Sequence, residues 1–496
     1  MSTAVKASSA SKRNMDLCEG PFFRKILLYA IPIILTGLLQ LLFNAADLVV
    51  VGRYGHANAI GAVGVTGALI NLIVNLFMGL SVGAGVFVAQ GIGARDKEMV
   101  HRTVHTAIPA AAIAGAILTV IGIFLAPKIL VLMDTDADIL GDSSLYLQIY
   151  FAGSIPILLY NFGASILRAA GDTRSPLIFL SIAGVLNVLL NLFFVIVLDL
   201  NVAGVALATV LSQLVSCALV LRALCKRTDA CKLFFRKLHI YPSTLARIVR
   251  IGLPAGIQGS LFSISNVIIQ SSMNSIGNLV KSAQGMEINL VIDGNTAAAN
   301  IEGFVYVSMN AFHQTAMNFM GQNLGARRYE NLGVILRYCL CTVGVVGFVF
   351  GGGCRVFAET LLSIYLRDDP AAIAYGVLRL TFVCLPYFTC GLMDVMSGAL
   401  RGLGASLSPM IITVVGVCGM RLFWIYAIFR PPFDALAAQF GNGLIAADAC
   451  VESADDMLKW LYISYPISWV LTFAALLICF LIVRNRLLKR SKAIAA

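Results

Sequence analysis

The chain has 496 residues, 59% hydrophobic and only 12% charged, with a formal net charge of +11. Soluble domains carry about a quarter charged residues, so a soluble fold is excluded, and continuous rather than alternating apolar runs exclude a transmembrane β-barrel. The charge is not a nucleic-acid footprint, because Lys and Arg sit in short loops between apolar runs, where they report topology.

Residues 1–22 read as a disordered cytoplasmic tail, Ser- and Ala-rich and basic. The apolar run that follows is too long for a signal-peptide core, and no small-residue cleavage site follows it. Twelve membrane spans are predicted, at about 26–50, 59–90, 104–127, 145–167, 176–198, 202–221, 247–272, 296–320, 334–353, 374–400, 408–429 and 460–483. Lys and Arg concentrate in alternate loops, which predicts both termini in the cytoplasm of a multi-pass plasma (cytoplasmic) membrane protein. The segments 278–295 and 430–459 read as long outer loops. The twelve cysteines form no CxxC framework. They read as small apolar fillers, with a Cys354–Cys450 disulfide as an alternative.

Span one carries Gln40, Asn44 and Asp47 at i, i+4 and i+7, on one helical face. A carboxylate at membrane depth is costly and by default reads as functional. Asn161 on span four, and Asn187 and Asn191 on span five, complete the polar group of the first half. The second-half group is Glu302, Tyr306 and His313 on span eight and Asp394 on span ten. His313 fits a satisfied interior histidine better than a proton relay. Arg421 lies mid-span and reads as a neutralising partner for Glu302 or Asp394. Pro32, Pro156, Pro254 and Pro386 lie within apolar runs and permit kinks.

The chain repeats itself. Pro32 matches Pro254, Gln90 in AQGIGAR matches Gln322 in GQNLGAR, and LRAAGDTRSP from Leu167 matches LRGLGASLSP from Leu400. The fold expected is therefore an all-α polytopic membrane protein of twelve transmembrane helices in two pseudo-symmetric six-helix bundles. They take residues 23–222 and 247–485, joined by a cytoplasmic linker at 223–246 and followed by a basic cytoplasmic tail at 486–496. The residue that pairs with Asp47 is Ile269, so the halves differ in chemistry. In the paired turns, Gly93 and Gly325 are expected to end their spans in a left-handed conformation. Arg95, Arg327, Arg168 and Arg401 are expected to meet helix ends and lipid headgroups. No Walker phosphate loop and no zinc-protease or Asp-rich motif is present, so energy for active transport must come from an ion gradient.

Together the paired halves, Pro32, Gln40 and Asp47, the two GAR turns, LRAAGDTRSP, NVLLNLFF and AGVALATVLSQ resemble the multidrug and toxic compound extrusion (MATE) family over roughly residues 20–485. The resemblance implies a V-shaped pair of bundles that exports bulky, often cationic compounds in exchange for H⁺ or Na⁺, without other cofactor and without covalent chemistry. It places coupling-ion binding at Asp47, with Pro32 and Gln40 matching the residues that precede that Asp in the family's pattern. Span five of much of the family reads Asn-x-x-x-Asp, where this chain has Asn187 and Asn191. Asn187 and Asn191 are expected to join Asp47 in coupling-ion binding, Glu302 and Asp394 are then the second-half coupling carboxylates, and Pro32, Gln40, Asn44, Asn161, Tyr306 and His313 are the expected cargo contacts. The expected partners are small-molecule substrates and the lipid bilayer, not nucleic acid, and the expected state is a monomer. The alternatives are a flippase or exporter of a lipid-linked or polar metabolite in the same superfamily, and an intramembrane enzyme using Asp47 and Glu302 as acid and base.

Overall fold

The computed structural model describes residues 15–56, 59–133, 135–366 and 369–495. Helix dominates because backbone N–H and C=O groups in hydrocarbon must be satisfied within their own segment. The first bundle comprises α1 (Phe22–Tyr54), α2 (Ala59–Gly93), α3 (Lys97–Leu132), α4 (Ala137–Ala152 and Ser154–Ala169), α5 (Arg174–Val197) and α6 (Asn201–Cys225). The second comprises α7 (Pro242–Gln284), α8 (Leu290–Gly325), α9 (Asn331–Val356), α10 (Pro370–Cys384 and Tyr387–Gly402), α11 (Leu407–Gly441) and α12 (Ala447–Ala495). Among the described residues, nine helices are long and apolar enough to cross a bilayer, and the bent pairs α4 and α10 bring the number to eleven. The twelfth predicted span is α8, 36 residues long but interrupted by Asp293, Asn295, Glu302, Asn310 and His313.

Helices α4 and α10 occupy equivalent places in the repeat and bend at equivalent breaks, by 48° and 41°. Pro156 and Pro386 sit at those breaks, whereas Pro32 and Pro254 lie inside helices that continue past them. The two long outer loops are not present as such. Helix α7 runs on to Gln284, Gly285 caps it at φ +63°, and α8 starts after Asn289, whose side chain accepts from the Ile292 N–H at 3.2 Å. Helix α11 continues to Gly441, and α12 begins at Ala447. Hydropathy measures apolar length alone, while a helix continues into water as long as its backbone is paired. Likewise α12 extends through the predicted basic tail. Cys354 and Cys450 are both free thiols.

The bundles meet at the end of the molecule that carries both termini. There α2 lies against α7 through glycines: a Cβ on Gly79 would strike Gly252 and Gly256, and one on Gly83 would strike Ile248 and Gly252. At the opposite end of α2, Gly64 and Gly67 have nothing within 4 Å of the Cβ position. Small residues allow the backbone approach that helix packing in lipid depends on. The repeated motifs form a reciprocal lock. Gln90 donates to the Gly402 carbonyl at 2.9 Å, and Gln322 donates to the Ala169 carbonyl at 2.7 Å. Each half thus grips the end of the bent helix of the other half.

The role expected of Gly93 and Gly325 needs correction. Both are helical, and the left-handed residues are Arg95 and Arg327, at φ 55° and 57°. The glycines serve close approach instead: a Cβ on Gly93 would collide with the Gln322 carbonyl, and one on Gly325 with the Gln90 carbonyl. Gly93→Ala and Gly325→Ala are therefore expected to wedge the halves apart, at a cost of about 1–3 kcal/mol each. Thermal unfolding of the purified protein checks this against Gly141→Ala, whose Cβ would meet nothing within 4 Å. Equal stability of Gly93→Ala and Gly141→Ala would overturn the assignment.

The predicted disordered tail is partly structured. Residues 1–14 lie outside the described residues, but Met15–Gly20 cross beneath both bundles. The Met15 N–H donates to Gly171 O at 3.3 Å, while Asn323 donates to Leu17 O at 2.9 Å and Arg328 pairs with Glu19. Leu17 is fully buried there, and burying an apolar side chain offsets the entropy of ordering the segment. The linker is held as well, with the Phe234 N–H donating to His105 Nε2 at 3.1 Å.

Two cavities and an ion pair at membrane depth

The first cavity, of about 360 Å³, lies inside the first bundle and is closed on one side by Val307 of α8. Gln40, Asn44 and Asp47 of α1 all face it, as their helical spacing predicts, and Asn161 and Asn187 line it too. Asn191 stands behind them, buried, and its amide N–H donates to Asp47 Oδ1. Thr209 donates to Asp47 Oδ2 at 3.5 Å and receives the Asn187 N–H at 3.3 Å, while Asn191 also donates to Asn187 Oδ1 at 3.3 Å. Asp47 is 9% exposed, and no cation of the chain pairs with it among the described residues. Its neighbours are neutral donors, so the carboxylate is positioned while its charge stays open to an incoming cation.

Sequence reasoning missed Thr209 and Gln213 of α6, and Tyr146 and Tyr150 of α4, all of which line this cavity. The signal for α6 was its polar spacing, with Thr209, Ser212 and Gln213 at i, i+3 and i+4 on one helix face. The tyrosines carried none, since aromatic residues in a span are unremarkable. Their ring faces suit organic cations. Pro32 is not among the lining residues. It is buried in α1, and its carbonyl accepts from the Thr36 hydroxyl at 2.6 Å.

The second cavity, of about 230 Å³, lies between the bundles and shares Met78 with the first. Tyr306, His313 and Asp394 line it, together with Gln258, Arg168 and Arg401. A guanidinium only donates, so the 3.3 Å contact of Arg401 with His313 Nε2 makes that nitrogen the acceptor. His313 Nδ1–H then donates to the Asp394 carbonyl at 2.8 Å. That is the neutral imidazole of a satisfied interior histidine, at the wall of a cavity. Arg168 and Arg401 were expected at helix ends among headgroups. Both do lie in the last turn of their helices, but their side chains line the cavity at the bundle interface instead of meeting headgroups.

Glu302 stands apart from both cavities, although its spacing predicts a shared face with Tyr306 and His313. Arg379 of α10 binds it in a two-pronged ion pair, with both N···O distances at 2.8 Å and both side chains 8% exposed. Asn295 completes the network: it accepts from Arg379 and from the Tyr462 hydroxyl, and donates to Gln270 at 3.0 Å. The neutralising partner is therefore Arg379, which lies near the edge of its predicted span and was not singled out. Arg421 contacts neither Glu302 nor Asp394. It donates to Asn266 Oδ1 at 3.0 Å and stacks over Tyr465 at 4.2 Å, from a stretch of α11 flanked by two π-helical turns.

The repeat extends to known proteins. The MatE family model matches residues 32–193 and again 263–426, one copy in each half. The chain belongs to the MatE family. It is similar to a probable multidrug resistance protein, YpnP, of Bacillus subtilis, at 26% identity over 85% of this chain and 89% of that one. It is also similar to the probable multidrug resistance protein NorM of Thermotoga maritima, at 27% identity over 82% and 85% of the two chains. A solved outward-facing MATE transporter superimposes with a TM-score of 0.80 at 21% identity, over 95% of this chain and 97% of that one, which shows the fold. MATE proteins are transporters, so this chain is a multi-pass membrane transporter and not an enzyme. The acid–base pairing of Asp47 with Glu302 falls with that reading.

Proposed function

We propose that this MATE protein exports bulky organic compounds, many of them cationic, by secondary active exchange for H⁺ or Na⁺. The observation that carries the reading is Asp47: a buried carboxylate with neutral donors, in a cavity walled by Tyr146 and Tyr150. A cargo cation and a coupling cation compete for that one negative charge, which makes exchange obligatory. The bundles close at the end bearing the termini and part at the other, which supports alternating access by rocking of the halves. The loop charges support a cytoplasmic position for the closed end. Proteoliposomes loaded with a fluorescent organic cation and subjected to an imposed H⁺ or Na⁺ gradient test the proposal. Cargo accumulation is expected under one gradient, and its absence under both would overturn the reading.

A further inference from the structure

The second cavity has a polarity that the first lacks. Its charged walls are Arg168, Arg401 and Asp394, which leaves a net positive charge, since His313 is held neutral between Arg401 and the Asp394 backbone. The cations are only partly compensated. Among the described residues the Arg168 guanidinium makes neither hydrogen bond nor ion pair. Arg401 is 7% exposed and donates to Gln258 at 2.7 Å and to His313, but its Nε has no partner. Asp394, also 7% exposed, forms no ion pair with either and keeps one oxygen unpartnered. Unpaired guanidinium groups at this depth are costly to maintain. The arrangement contrasts with Glu302 and Arg379, where the same chain satisfies a buried ion pair completely.

We infer that the second cavity is a receptor for a carboxylate on the cargo, held by Arg168 and Arg401. The inference rests on the export reading and narrows its substrate class. Guanidinium presents paired donors that match the two oxygens of a carboxylate. The cavities adjoin at Met78, with the Asp47 carboxylate in one and the two arginines in the other. One bulky molecule with a cationic end and an acidic end spans both, and the protein favours such a zwitterion over the corresponding pure cation.

Rhodamine 110 and its methyl ester rhodamine 123 differ only in that acid. Fluorescence anisotropy with the purified full chain, in detergent free of phospholipid so that no lipid phosphate competes, gives their two dissociation constants. The acid is expected to bind about tenfold or more tightly than the ester. Arg168→Gln and Arg401→Gln should each bring that ratio toward one, and Arg168→Lys should keep part of it. Should Arg401→Gln fail to fold, Arg168→Gln and Arg168→Lys decide the matter. Equal binding of acid and ester by the wild type, or an unchanged ratio in Arg168→Gln, would overturn the inference. Failure of both dyes to be exported under either gradient, with the binding preference intact, would instead count against the export reading alone.

Discussion

Asp47→Asn is expected to reduce gradient-driven export to the level of vesicles without protein. Asn has nearly the shape of Asp, so Asn191 and Thr209 keep a neighbour of the same size and the helix register is undisturbed. What is lost is the only full negative charge among the described residues that line the first cavity. Without it neither a proton nor Na⁺ has a site whose occupancy changes the local charge, and a cargo cation loses its counter-ion. Energetic coupling needs a ligand that distinguishes the states of the transporter, and the variant offers none at this position. Counterflow and gradient-driven uptake in proteoliposomes measure the effect. A variant that concentrates cargo against its gradient at the wild-type rate would refute the assignment of Asp47.

Breaking the Glu302–Arg379 pair is expected to give the largest loss of stability of any change considered. Glu302→Leu leaves a buried guanidinium without its carboxylate, and Arg379→Met leaves a buried carboxylate without its guanidinium, while Asn295 and Tyr462 cannot neutralise either. Removing one partner of a buried pair costs about 3–5 kcal/mol, whereas replacing both with apolar residues is often nearly neutral. The double variant should therefore be more stable than either single one, and a double-mutant cycle on denaturation in detergent measures the coupling. Simple additivity of the two single losses would show that the pair does not act as a unit. Glu302→Gln separates structure from transport: export should persist at reduced protein stability, because Glu302 lies outside both cavities.

Much of the fold was legible from the chain alone. Apolar length gave the spans, and three ordered repeats gave the two halves, each now matched by one copy of the family model. The polar face of α1 was legible as well, because helical periodicity alone puts Gln40, Asn44 and Asp47 on one side. The companions of that face were less so. Thr209 reaches Asp47 only through the packing of α6 against α1, and no spacing within one helix encodes a neighbour on another.

Sequence by itself determined which residues are charged, which lie at membrane depth and which share a helical face. Tertiary structure alone decided what those charges meet. Glu302, Asp394 and Arg421 all looked alike as buried ions, yet one is fully paired by Arg379, one keeps a free oxygen beside a cavity, and one rests on Tyr465 and Asn266. Arg168 and Arg401 looked like lipid-facing helix ends and became the cationic wall between the halves. The physical reason is that the energy of a charge depends on the dielectric and partners within a few ångströms of it. Those neighbours come from other helices, 77 residues away for Glu302 and Arg379 and 155 for Arg421 and Asn266, placed by rotations that only packing sets.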